Sequence, residues 1–76
     1  MSEVKIIFVF KGMKTTIKCD KAEKMRSILK RYETSVGIDI NKIDLVYNGN
    51  KVNEESSFEE IANIQDKKMN TMDIIN

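Results

Sequence analysis

Apolar side chains recur along this chain with two different periods, and the switches between them mark out its elements. Residues 4–10, VKIIFVF, are apolar at six of seven positions. Alternate side chains of a strand point to opposite faces, so Val4, Ile6 and Phe8 share one face while Lys5, Ile7 and Val9 share the other. The first set is the inner one, because the opposite choice buries Lys5. KGMK (11–14) supplies a turn. In TTIKCD (15–20), Thr15, Ile17 and Cys19 alternate with Thr16, Lys18 and Asp20, the pattern of a strand buried on one face. The two runs form a predicted β-hairpin.

The period then lengthens. Met25, Ile28, Leu29, Tyr32 and Val36 stand at i, i+3, i+4, i+7 and i+11, one apolar stripe on a helix. Asp20 and Glu23 have the spacing of a capping box, and Gly37 is placed to close the helix. Strand spacing returns in IDLVY (43–47), where Leu45 and Tyr47 share a face and Val46 takes the other. Asn48-Gly49 is a turn signal before a short strand NKV. SSFEEIANI (56–64) offers one helical turn, capped by Ser56 or Ser57, with Phe58, Ile61 and Ile64 inward. MNTMDII closes the chain with Met72 and Ile74 on one face, Asp73 and Ile75 on the other. No repeat or linker interrupts this order, so residues 1–76 are read as one domain. The predicted class is α+β: a mixed sheet of four to five strands, first and last strands central, with one α-helix packed across one face and a short helical turn.

These same stretches resemble the ubiquitin-like β-grasp family over nearly the full chain. The hairpin around Gly12, the helix closed by Gly37-Ile38, and LVYNG ahead of KV carry the resemblance, and residues 19–49 keep ubiquitin-like spacing without gaps. RSILKRYETSVGI, with Tyr32 one turn before the cap glycine, is more similar to SUMO and to non-conjugated SUMO-like domains than to ubiquitin. The resemblance implies two binding surfaces. One is the sheet face that no helix covers, where Ile7, Val9, Ile75 and Val46 are expected to form an aliphatic patch for an amphipathic helix. The other is the groove between the second strand and the helix, bordered by Ile17, Cys19, Ile28 and Tyr32 and flanked by Lys18 and Arg31, where an edge strand accepts a short aliphatic peptide with acidic neighbours.

The resemblance also has departures. Conjugated members end in Gly-Gly, whereas this chain stops at MDIIN, so these 76 residues are not expected to be activated for conjugation. Asn50 stands where ubiquitin carries a chain-building lysine. The expected function is therefore a non-catalytic interaction domain, part of a longer protein. The alternatives are a ubiquitin- or SUMO-type modifier lacking its tail and a Phox/Bem-type heterodimerisation domain, in which Lys5 would pair with an acidic loop; NGNKV stands where that acidic signature belongs.

Composition narrows the chemistry further. Residues 1–31 hold nine basic and three acidic side chains, net +6, and residues 32–76 hold four and nine, net −5. The sum of +1 argues against phosphate neutralisation as a binding mode, so no nucleic acid is expected. The chain has no histidine and one cysteine. A catalytic thiol pair, a zinc site and an internal disulfide are thereby excluded, and Cys19 reads as a small buried hydrophobe. Glu54, Glu55, Glu59 and Glu60 lack the oxygen spacing and glycine turn of a calcium loop. No cofactor, metal or catalytic residue is expected. No apolar run approaches the roughly 20 residues of a membrane span, and no leader opens the chain, so the reading is a cytoplasmic or nuclear monomer that binds proteins.

Overall fold

The computed structural model describes residues 2–76. Strand β1 (Glu3–Phe10) pairs antiparallel with β2 (Met13–Asp20) in the register Val4↔Cys19, Ile6↔Ile17, Phe8↔Thr15, Phe10↔Met13. The connection is only Lys11-Gly12, both at positive φ, the backbone of a two-residue hairpin turn whose twist suits its strands. The second strand thus begins at Met13, two residues earlier than its alternation suggests. Val4, Ile6, Phe8, Ile17 and Cys19 are buried and Lys5 is exposed, the inner face the sequence predicts.

Helix α1 (Met25–Val36) buries Met25, Ile28, Leu29 and Tyr32 against that face. The Phe8 and Tyr32 rings stack with centroids 4.1 Å apart and 12° between planes. Gly37 ends the helix at φ 71, donating its N–H to the Glu33 carbonyl; the left-handed conformation costs glycine little because it has no Cβ. The start differs from expectation. Asp20 and Glu23 form no capping box: the N-cap is Lys24, and the free amides of the first turn are met by a neighbouring segment. Met25 N–H donates to Ser56 O at 2.8 Å and Arg26 N–H to Glu54 O at 2.9 Å. Backbone carbonyls thus do what a capping side chain does elsewhere. Lys24 and Arg26 both pair with Glu55, fastening the same contact. Asp20 instead accepts from Ala22 N–H.

After a 3₁₀ turn at Ile40–Lys42, the expected strand 43–47 is reduced to β3 (Val46–Tyr47), followed by β4 (Asn50–Lys51). Between them Asn48 and Gly49 both take positive φ, 54° and 84°, the tight turn that Asn-Gly favours. Helix α2 (Phe58–Ile61) starts at Ser57, whose N–H and hydroxyl both donate to Glu60 Oε1. Ile64 does not face inward: it is 76% exposed and opens a further helix, α3 (Ile64–Met69), which has no counterpart in the sequence reading. The helix's N-cap Asn63 accepts from Asp66 N–H, and Asn70 closes it at φ 53. Strand β5 (Thr71–Ile75) then runs parallel to β1 in the register Ile6↔Met72, Phe8↔Ile74. The five strands lie in the order β2-β1-β5-β3-β4, first and last in sequence side by side. The β-grasp architecture is as expected, with one short helix more.

Candidate functional site

Pairing registers place the outward side chains in rows across the sheet, because residues opposite one another share a face. Val9 lies between Lys14 and Ile75, Ile75 lies opposite Val46, and Val46 opposite Lys51. The row therefore reads Lys14–Val9–Ile75–Val46–Lys51: three aliphatic side chains on three adjacent strands with a lysine at each end. Ile75 is 51% exposed, and Val9 and Val46 are half-buried. Ile7 stands in the next row, between Thr16 and Asp73 rather than beside Ile75, and Lys5 in the row after that, between Lys18 and Thr71. Neither end lysine is in an ion pair among the described residues.

The row leads into a cleft of about 670 Å³ between β3 and β5, walled on its third side by α3. Val46, Met69 and Ile75 give it apolar surface; Asp66 and Asp73 are its only charged side chains. Tyr47 holds the wall in place. Its hydroxyl donates to Asp66 Oδ2 at 2.6 Å and accepts from Asn63 N–H at 2.9 Å. Burial, and then the bond to Asp66, raise the Tyr47 hydroxyl above the ordinary tyrosine range, so it stays a donor at neutral pH. Sequence reasoning missed this cleft. The one available signal was KKMNT (67–71), which lengthens the approach to the last strand relative to the SUMO pattern that the chain resembles.

The second expected surface has a different character. Ile17, Cys19, Ile28 and Tyr32 are all in the core, none more than 8% exposed. The depression at the β2 edge is lined by Glu3, Lys18, Cys19, Asp20, Glu23 and Arg31, mostly charged groups. Arg31 spans it, donating through Nη1 to the Lys18 carbonyl at 3.1 Å and through Nη2 to Glu23 Oε1 at 2.7 Å. Glu23 is in turn held by the Ser27 hydroxyl at 2.7 Å. An outward carbonyl of the edge strand is thus already occupied, a familiar protection against unwanted strand addition.

Cys19 lies at the margin of this depression with its thiol pushed up to about 11, first by burial and next by the Glu23 carboxylate. Its ordinary value is 9.0. Between about pH 9 and 11 the unfolded chain sheds a proton that the folded chain keeps, so stability should fall as pH rises through that window. Iodoacetamide at pH 8 should accordingly label Cys19 only as fast as the fold opens. Labelling of the native protein as rapid as that of the urea-unfolded chain would contradict this placement. Among the described residues no group of three or more His, Cys, Asp or Glu side chains is gathered to hold a metal ion, and no helix is long and apolar enough to cross a membrane.

Comparison with known proteins agrees with the fold. The family model described as ubiquitin-2-like Rad60 SUMO-like matches residues 3–76. Among solved structures, the ubiquitin-like domain of an Arabidopsis thaliana protein, determined by solution NMR, superimposes with a TM-score of 0.78 at 14% identity, over 99% of this chain and 76% of that one. A de novo design based on ubiquitin gives 0.72 at 12% identity, over 96% and 84%. At these identities the structural matches speak for the fold alone. A search of curated proteins found no match.

Proposed function

This chain belongs to the ubiquitin-2-like Rad60 SUMO-like family, and from that premise we propose that it is a non-catalytic protein-interaction domain whose contact surface is the open face of its sheet. The observation that carries the proposal is the row Val9–Ile75–Val46, aliphatic on three neighbouring strands and flanked by Lys14 and Lys51. Uncovered aliphatic surface of this kind on a small domain marks a contact site, and the lysines give it a polar rim. The partner it suits is an amphipathic helix with an aliphatic stripe and acidic flanks. The β2 edge suits a partner less, because its apolar side chains are enclosed in the core and Arg31 occupies the Lys18 carbonyl.

A designed amphipathic helix with leucines at i, i+3, i+4 and i+7 and glutamates beside them serves as the probe. Titrated into ¹⁵N-labelled protein, it should move the amides of Val9, Val46 and Ile75 and leave Lys18 and Arg31 in place. Affinity should change little between about 50 and 200 mM salt, because apolar burial dominates. Shifts centred on β2 and α1 that weaken steeply with salt would overturn the assignment in favour of the edge.

A further inference from the structure

The cleft beside α3 is bordered by a length of β5 that is paired with β1 on one side and with nothing on the other. Lys5 N–H donates to Asn70 O at 2.9 Å, and Asn76 N–H donates to Val9 O at 3.0 Å. Alternate residues of a strand turn both backbone groups to the same neighbour, so Asn70, Met72, Ile74 and Asn76 face β1. Thr71, Asp73 and Ile75 therefore face the other way, toward β3. Ile75 meets Val46, the single pair between these strands. Past it the chain leaves β3 through the Asn48-Gly49 turn, and on that side no strand runs beside Thr71 and Asp73, whose other side is taken by β1. β5 is interior at Ile75 and an edge at Asp73. Donors and acceptors of that edge border a cleft whose side chains are Val46, Ile75 and Met69 on the apolar side and Asp66 and Asp73 on the charged side.

Two features identify what fits there. Free strand edges take extended chain, because main-chain hydrogen bonds then continue the sheet. The charge inside is wholly acidic: Asp73 is in no ion pair among the described residues, and Asp66 commits Oδ2 to Tyr47. Two carboxylates lining one partly enclosed cleft favour a cation, and apolar surface beside them accommodates the aliphatic stem of that cation's side chain. The geometry points to an extended segment of the partner protein entering the fork between β3 and β5, pairing with Asp73 and setting a lysine or arginine against Asp66 and Asp73. The inference rests on reading the open sheet face as the contact surface, which the row Val9–Ile75–Val46 continues into the cleft. It adds to that face a site for an extended basic element.

The acetylated and amidated peptide Ile-Val-Lys-Val-Ile tests this, alongside a version with glutamate for lysine and one N-methylated at the lysine and both valines. Added to ¹⁵N-labelled protein, the lysine peptide should shift the amides of Thr71, Asp73 and Gly49. The glutamate peptide and the N-methylated peptide should each bind at least about tenfold more weakly, the first by loss of the charged contact and the second by loss of the backbone pairing. The variant Asp66→Asn/Asp73→Asn should weaken the lysine peptide similarly, with its melting temperature kept, since the side-chain carbonyl introduced by Asp66→Asn still accepts from Tyr47. Lysine and glutamate peptides of equal affinity, or shifts confined to Val9, Val46 and Ile75, would overturn the fork site while leaving the open face intact as a contact surface. Absence of shifts from the lysine peptide would also overturn it, and the helix titration above decides the sheet face independently. Shifts at Thr71 and Asp73 that grow with protein concentration alone would assign the cleft to a second copy of this chain and likewise overturn the proposal.

Discussion

Phe8→Ala should leave much of the protein unfolded at 37 °C. Phe8 is fully buried at the centre of the sheet, paired with Thr15 on one side and Ile74 on the other, and its ring stacks on Tyr32 of α1. It therefore joins the two central strands to the helix, and its truncation leaves a cavity that the surroundings fill only in part. Truncating a buried phenylalanine costs about 3–5 kcal/mol, against a total of about 5–15 kcal/mol for a typical domain and less for a small one. For a chain of this length the melting temperature should fall by more than about 12 °C. Ile75→Ala, half-exposed on the opposite face, is the control and should cost no more than about 0.5 kcal/mol. Thermal unfolding followed by circular dichroism decides the matter. A midpoint for Phe8→Ala as high as that of Ile75→Ala would mean that the inner and outer faces of β1 have been interchanged.

Val46→Asp should weaken binding of the amphipathic helix by at least about thirtyfold and leave the fold intact. Val46 belongs to the aliphatic row of the outer face: Ile75 lies opposite on one side, Lys51 on the other, and the cleft begins at its edge. An apolar residue that a partner covers fully contributes about 2 kcal/mol or more, and a carboxylate in its place must also be desolvated when the partner arrives. In the free protein the new carboxylate stays in water beside Lys51, so the change in stability should remain within about 1 kcal/mol. Isothermal titration for affinity and a melting curve for stability separate the two effects. Were Val46→Asp to unfold the domain, Val46 would be an inward residue and the aliphatic row would not exist. Unchanged affinity in a folded variant would remove the sheet face as the contact surface.

How much of this was legible from the sequence follows from the range of the interactions involved. The inward positions of β1, β2, α1 and β5 were readable because each depends on a period repeated within one element: two residues for Val4, Ile6 and Phe8, and between three and four for Met25, Ile28, Leu29 and Tyr32. Gly37 and Asn48-Gly49 were readable for a related reason, since the backbone there takes a conformation that few residues adopt easily. Cap signals were less dependable. Asp20 and Glu23 had the spacing of a capping box, yet the first turn of α1 is served by Glu54 and Ser56, some thirty residues away, and no local pattern reports a partner that distant.

The site divides along the same line. That Ile7, Val9, Val46 and Ile75 point away from the core was fixed by strand alternation within their own segments. Their arrangement was decided by tertiary pairing: the register sets Val9, Ile75 and Val46 in one row and moves Ile7 into the next, beside Asp73. The enclosure of Ile17, Cys19, Ile28 and Tyr32 also came from packing, since the alternation that turns them inward says nothing about how closely the helix approaches the strand. Least visible of all were α3 and the cleft it walls. Six residues with Ile64 and Met69 exposed carry no amphipathic signal, and a helix so short is not stable by itself. Asn63 and Asn70 cap its ends, and Tyr47 anchors it through Asp66. The free edge at Thr71 and Asp73 exists because β3 turns away after Tyr47, and whether a strand has a neighbour is a property of the sheet and not of the strand's own residues.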